Sequence, residues 1–329
     1  MSSQTQTHVH TFETETHVVT ITTIMVPKTP KPEAVRPPPR NVGTEMPPLE
    51  AVMSYFDKSP EARQLSIQKL KQWKADENTL NEHGMEFHNH HMKKHTFNTR
   101  IPKKCTLVEL LTTPEAFPTE VQALQKAAQN STKPMVPAVI YNWVFHHPVT
   151  MFKASTAKWF YTKYGGTHVL DPTAGWGGRL LGAWAAGLAY TGFDTNVSLK
   201  EPYAQMVNDL PQPKDNVTMH WENCLAADWS AIDYDLVLTS PPYINTELYE
   251  HMSPFASDEA YFKEFLIPLI DKARASIRRA GAVGINISSK LYTRLLSYGY
   301  APAHVIEFYT SVNSKGERSR TDDMIYVWK

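Results

Sequence analysis

Two aspartates stand at the ends of two short apolar runs. Asp171 closes HVLD and Asp194 closes AYTGFD, and between them lies the turn Pro172-Thr-Ala174-Gly175-Trp-Gly177-Gly178. Glycines there let the backbone turn tightly and approach a ligand closely. The turn lacks the GK[ST] ending of a phosphate-binding P-loop. An acid in front of it repels pyrophosphate and suits a positively charged ligand. An acid at the tip of the next strand, about twenty residues on, can accept both hydroxyls of a ribose. Together they specify a ribose-bearing ligand with a cationic part and no diphosphate, a description that S-adenosylmethionine meets. Simpler readings stand beside this one: a plain strand–helix turn, and Asp194 as the cap of a helix beginning near Val197.

A second group follows the run Asp235-Leu-Val-Leu-Thr239, namely Ser240-Pro241-Pro242-Tyr243. Two prolines cannot continue a central strand, because neither donates to the ladder. They stiffen the loop and are expected to leave the Ser240 and Pro241 carbonyls unpaired by the sheet. Tyr243 adds a flat aromatic surface. Rigid acceptors beside an aromatic plate suit a planar ring bearing an amino group. The alternative is an ordinary Pro-Pro loop with a core tyrosine.

These residues need a sheet to hold them. From about Val169, short apolar strands alternate with helical stretches, which predicts a parallel sheet covered on both faces. The last two strands, AHVIEFYTSV and DDMIYVWK, have no helix between them and are expected to form an antiparallel hairpin at one edge. Residues 49–140 read as a mainly helical accessory region. Ser59-Pro60-Glu61 is a helix start, and Thr113-Pro114-Glu115 and Pro118-Thr119-Glu120 are two more. Residues 1–48 read as a Thr/His/Pro-rich disordered arm. HVVTITTIMV within it alternates like a strand without an evident partner, and prolines crowd positions 27–48.

DPTAGWGGR, GFD and TSPPY, in that order, resemble the S-adenosylmethionine-dependent DNA amino-methyltransferases, which methylate cytosine N4 or adenine N6. The resemblance covers roughly residues 145–329. It implies an α/β, Rossmann-like methyltransferase domain over 141–329, with a mostly parallel sheet and a terminal antiparallel hairpin. By resemblance Asp171, Pro172, Ala174, Gly175 and Gly177 hold the methionine part of the cofactor, and Asp194 holds the ribose. Asn223 stands where the family often has an acid on the adenine amino group, with Asp228 the other candidate. The stretch from His147 to Lys153 and the helix from Ser155 to Tyr164 resemble an additional cofactor motif, walled by Phe152 and Lys153. Ser240, Pro241, Pro242 and Tyr243 become the catalytic loop. The serine hydroxyl and the Pro241 carbonyl orient the amine, and Tyr243 stacks on a base flipped out of the duplex. A serine at that point is more often associated with cytosine, so the resemblance implies cytosine N4 in DNA. Cys224 is not needed as a nucleophile. Target recognition falls to residues 45–140, to the Ile244–Asp258 loop, or to a partner.

Alternatives keep the chemistry and move it to adenine N6 or to an RNA base. One of another class is a catalytically silent methyltransferase-fold subunit with a binding or assembly role. The chain has 329 residues, with 33 Lys plus Arg against 33 Asp plus Glu, so it is not a strongly basic nucleic-acid coat. A basic stretch from Asn313 to Arg320 reads either as a phosphate contact or as a solvated hairpin tip. Histidines 83, 88, 90, 91 and 95 come without CxxC or HExxH, so they read as a polar surface or a nucleic-acid-facing segment, with metal binding the lesser reading and no metal site assigned. Two cysteines exclude a disulfide framework. With no charged start followed by an apolar run and no spanning stretch, the chain reads as intracellular, cytoplasmic or nuclear, and not secreted. The sequence does not set the oligomeric state.

Overall fold

The computed structural model describes residues 45–74, 81–100, 104–131, 133–146, 149, 151–213, 215–244, 255–277, 281–308 and 321–329, together with the backbone of 6–13 and 18–25; of 145–146 it describes the backbone alone. Met1–Pro39 and Arg40–Lys329 are two compact units. In the first, β1 (Gln6–Glu13) pairs antiparallel with β2 (Val18–Met25). The alternating Val/Ile/Thr run of the arm therefore has a partner, the preceding QTHVHTFE segment, where the sequence suggested none.

The second unit holds the helical region and the sheet together. Its first helices are α1 (Leu49–Ser54), α2 (Pro60–Gln72), α3 (Met85–Phe97), α4 (Leu107–Thr112), α5 (Pro118–Gln129) and α6 (Met135–His146). Helix α2 starts as its sequence requires: Pro60 takes the first position and Ser59 Oγ accepts from the Ala62 N–H at 3.3 Å. Its end is closed from elsewhere. Lys158 Nζ donates to the Leu70, Lys71 and Trp73 carbonyls at 2.7–2.9 Å, filling acceptors that the last turn leaves open. Lys158 lies on α7 (Ala154–Tyr164), so α2 is tied to the domain that follows.

The strands β3 (His168–Asp171), β4 (Ala189–Phe193), β5 (Val217–His220), β6 (Leu236–Thr239), β7 (Ala282–Ser288), β8 (His304–Ile306) and β9 (Asp323–Trp328) form one sheet in the order β5-β4-β3-β6-β7-β9-β8. All neighbours pair in parallel except those of β9. Helices α8 (Gly178–Ala186) and α9 (Lys200–Asp209) follow β3 and β4. Asp258–Ala260, Tyr261–Leu266 and Ile267–Ser276 run on as one helix, α10, and α11 (Ser289–Ser297) follows β7. This is the Rossmann-like methyltransferase fold. The expected antiparallel hairpin of the last two strands stands at one edge of the sheet. Within it β8 forms the edge and β9 is the inner strand, between β7 and β8. Being antiparallel, it begins where the parallel strands end, and so its first residue, Asp323, stands on the ligand-binding side of the sheet.

The central strands β6 and β7 are buried on both faces, which explains why they read as near-continuous apolar runs. One core packs Phe160, Leu180 and Leu181 with Ile67, Leu70, Phe87 and Met92 of α2 and α3. The opposite one packs Val237, Ile285 and Ile287 against Phe262, Leu266, Leu269 and Ile270 of α10. A third, wholly helical cluster gathers Val52, Phe97, Leu110, Leu124, Val139 and Trp143. Each fully buried Leu, Ile or Phe contributes about 1.5–3 kcal/mol. The helical region therefore docks on the sheet through a true core.

Helix α10 opens its hydrogen-bond ladder into a π-type turn over Tyr261–Leu266. The cause lies just downstream. Pro268 has no N–H, and its ring clashes with the carbonyl four residues back, at Glu264. Widening the turn ahead of the proline relieves both faults. Among the described residues, no helix is long and apolar enough to cross a membrane.

Candidate active site

A cavity of about 1000 Å³ opens at the carboxyl ends of β3, β4 and β6. That is the place where open α/β sheets bind their ligands. Its walls bring together most of the residues singled out from the sequence: Phe152, Lys153, Pro172, Ala174, Gly175, Asp194, Asn223, Ser240, Pro241, Pro242 and Tyr243. Asp171, Gly177 and Asp228 are not among them.

Asp171 is the main correction. It is fully buried, and both its oxygens are used inside the protein. Oδ2 accepts from Arg179 Nε and from the Tyr190 hydroxyl, each at 2.7 Å, and Oδ1 accepts from Thr239 Oγ1 at 2.8 Å. The carboxylate cannot meet a ligand's ammonium, because its charge is already met by Arg179. Burial alone would lower the pKa of that guanidinium, but the Asp171 carboxylate outweighs it and the net shift is upward. Arg179 itself lines the cavity, its guanidinium 5.2 Å from the centre of the Phe152 ring. At this place the sequence suggested a ligand-facing acid, and the structure holds a neutral Asp171–Arg179 pair whose guanidinium also bonds the Thr173 carbonyl.

The glycine turn also works differently from the expectation. The Ala174 N–H donates to the Phe193 carbonyl at 2.8 Å and the Gly175 N–H to Asp194 Oδ2 at 2.8 Å. The Tyr203 hydroxyl donates to the Ala174 and Gly175 carbonyls. Its backbone groups thus fix the turn to β4 and α9, and what the turn gives the cavity is room. Gly175 has φ +58°, which favours glycine, and a side chain there would project toward Arg179. Gly177, at φ +80°, is the N-cap of α8 and stands back from the cavity. Gly178 is needed for a separate reason. A Cβ there would sit 1.9 Å from the Phe152 carbonyl oxygen, so glycine lets the 151–153 segment lie against the helix start and form a wall.

Asp194 does reach the cavity. Oδ1 accepts from the Asn196 N–H at 2.8 Å, and Oδ2 holds the Gly175 N–H. Burial pushes its carboxyl up to about 6, with the two N–H bonds pulling the other way. A ligand hydroxyl donating to the ionised form would bind best above that value. The expected result is ligand affinity that is flat above pH 7 and falls by up to tenfold per unit below about pH 6. Titration calorimetry with S-adenosylhomocysteine across pH 5–8 checks this, and Asp194→Asn should flatten the profile. An unchanged slope in that variant would remove the role.

Asn223 turns its Oδ1 back to the Leu225 N–H at 2.9 Å, leaving its amide NH₂ for the cavity. Asp228 instead closes a small exposed turn onto Ser230 and is excluded from the site. Burial pushes the Cys224 thiol up to about 12, so it is no nucleophile at neutral pH.

The Ser240–Tyr243 loop is held from two sides that the sequence did not reveal. Ser240 Oγ donates toward Asn286, with Oδ1 at 3.3 Å and the carbonyl oxygen at 3.5 Å. Donation to Asn286 leaves the hydroxyl's lone pairs available as acceptors. The Tyr243 hydroxyl donates to Asp323 Oδ1. Burial first, and that hydrogen bond second, raise the phenol far above its ordinary pKa, so it stays neutral. The Ser240 carbonyl lies beyond the sheet ladder as expected, and Thr173 Oγ1 donates to it at 3.1 Å. Thr173 also bonds Thr239, so the glycine turn and the Pro-Pro loop are locked together. Phe255, Glu264 and Phe265 complete the wall around Tyr243, the last two carried by the π-type turn.

The histidine group is part of this support. His88 Nε2 bonds the Trp176 carbonyl in the glycine turn, and burial pushes both His88 and His91 down to about 4. The basic stretch Asn313–Arg320 and most of the Ile244–Asp258 loop lie outside the described residues.

No family model matches the chain, and no curated protein matches it. Among solved structures it is similar to an rRNA methylase from Streptococcus thermophilus, at 15% identity over 55% of this chain and 100% of that one, with a TM-score of 0.35. It is also similar to the tRNA (m1A58) methyltransferase TrmI from Aquifex aeolicus, at 13% identity over 54% of this chain and 68% of that one, TM-score 0.37. A third is precorrin-6y C5,15-methyltransferase from Geobacter metallireducens, at 13% identity over 54% of this chain and 87% of that one, TM-score 0.35. Those activities belong to those proteins, and at this level of likeness none transfers to this chain.

Proposed function

We propose that the chain transfers a methyl group from S-adenosylmethionine to an exocyclic amino group of a nucleic-acid base, with cytosine N4 in DNA as its target. The observation that carries this reading is the Ser240–Tyr243 loop sharing one cavity with Asp194. The residues fit the cofactor with one exchange. Asp194 would take the ribose hydroxyls and Asn223 the adenine edge. At the amino-acid end the exchange is the neutral Asp171–Arg179 pair, whose guanidinium edge would border the ligand in place of the expected contact from Asp171 to the ammonium. Phe152, its ring against the Arg179 guanidinium, would wall the amino-acid side.

S-adenosylmethionine supplies an electrophilic methyl group when bound. The protein's task is to prepare the amine. An exocyclic amino lone pair is delocalised into its ring and attacks poorly. Ser240 Oγ, turned by Asn286, accepts one amine N–H and draws the nitrogen toward a tetrahedral geometry. Tyr243 holds the ring plane, and Asp323 holds Tyr243. A base in a duplex has to leave its stack to enter such a cavity, and a stacked aromatic offsets that cost by about 1–3 kcal/mol. Phe255 and Phe265 narrow the access of water.

The test incubates the protein with methyl-labelled S-adenosylmethionine and separate DNA and RNA pools, then digests them and identifies the labelled nucleoside by mass spectrometry. N4-methylcytosine from DNA is the expected product. N6-methyladenine alone would change the base and keep the mechanism. Label only in RNA would change the substrate, and no label in either would leave a silent binding subunit.

A further inference from the structure

Helix α3 carries two adjacent histidines that methyl transfer does not use. His90 and His91 face Asp209, the last residue of α9, and one ligand atom from each of the three lies within 4.8 Å of the others. The His91 side chain is 3% exposed, and its Nε2 has no hydrogen-bond partner. Buried polar atoms are rarely left so. What it faces is Asp209 Oδ2, at 3.5 Å. A cation between the two would satisfy both.

The second imidazole is already prepared. Asp57 Oδ1 lies 2.7 Å from His90 Nδ1. A carboxylate bonded to a ring nitrogen is a common outer partner of metal-binding histidines, where it fixes the orientation of the ring. Arg63 Nη1 pairs with the same Asp57 oxygen at 3.2 Å and also meets His90 Nδ1, so the ring is held from two sides. Two carboxylates against one guanidinium leave the group with a negative balance. We propose that His90, His91 and Asp209 form a zinc-class divalent cation site that clips α3 to α9.

Two neutral imidazoles and one carboxylate suit Zn²⁺, Co²⁺ or Ni²⁺ rather than Mg²⁺ or Ca²⁺, which take oxygen shells. Ligand distances of about 2.0–2.2 Å put tetrahedral ligand atoms roughly 3.3 Å apart. His90 and Asp209 must therefore close in slightly, and their side chains, 30% and 56% exposed, have the freedom to do so. A water completes the shell. Leu199, which lines the cavity, precedes the other end of α9, roughly 15 Å away at 1.5 Å per residue. The clip is therefore structural, and it ties the helical region to the sheet.

The experiment strips the full-length chain with a chelator and adds back ZnCl₂. It reads bound metal by mass spectrometry of the protein's metal content, and the unfolding temperature by circular dichroism. The chain has 14 histidines, so the informative quantity is the difference between parent and variant. The parent should bind one more equivalent of zinc than His91→Ala, and its melting temperature should rise by several degrees with zinc. Asp209→Asn, at an exposed position, should fold normally and still lose most of that rise. Equal zinc binding in parent and Asp209→Asn, or a melting temperature that zinc leaves unchanged, would overturn the site.

Discussion

Arg179→Met is expected to destabilise the protein by about 3–5 kcal/mol, a large part of the 5–15 kcal/mol that holds a typical domain. Arg179 and Asp171 are 4% and 0% exposed, and the pair is 2.7 Å apart. Taking away the cation leaves a buried carboxylate with two neutral hydroxyl donors, from Tyr190 and Thr239. Hydroxyls do not balance a charge in a low-dielectric interior. The double variant Asp171→Asn with Arg179→Met removes both charges and should recover much of the loss. Urea unfolding followed by tryptophan fluorescence measures all three proteins. A loss under 1 kcal/mol in Arg179→Met would mean that the pair is not what holds the β3 turn in place.

The second large effect is on turnover. Ser240→Ala should lower kcat about 10²-fold while leaving cofactor affinity within a factor of two. The hydroxyl contacts the amine, not the cofactor, and its bond tightens as the nitrogen becomes tetrahedral. In the variant the amine keeps one N–H without an acceptor, and Asn286 loses its donor. Asn286→Ala should give a smaller drop, because the serine remains but turns freely. Steady-state methyl transfer to a short oligonucleotide, beside calorimetry with S-adenosylhomocysteine, separates kcat from binding. Full turnover in Ser240→Ala would place the amine elsewhere in the cavity.

The alternation of apolar runs and helical stretches was enough to read the parallel sheet, because buried parallel strands leave a continuous apolar signature. The insertion of β9 between β7 and β8 left no such trace, since strand order depends on contacts between segments far apart in the chain. Local chemistry placed Asp194 and the Ser240–Tyr243 loop on the cavity correctly, because a strand tip and a Pro-Pro break are local events. It failed for Asp171. That residue has the same position as a ligand-binding acid, and only the helix geometry that folds Arg179 back eight residues later reveals its partner. Asp323 and Asn286 were missed for the same reason as β9. They enter the site by topology, although an acid at the start of an antiparallel last strand is a usable sign. The π-type turn has a sign too, in the Pro268 that interrupts an otherwise helical pattern.

The bond from His88 to the Trp176 carbonyl spans 88 residues. During synthesis, α3 leaves the ribosome well before its partner exists. At about 5–20 residues per second, the nascent helix waits roughly 4–18 s for the turn that will receive it. In that interval the apolar side of α2 and α3, with Ile67, Leu70, Phe87 and Met92, has no sheet to cover it. The amino-terminal helices are therefore a natural client for holding chaperones, and a message that slows translation between codons 98 and 176 would lengthen that exposure.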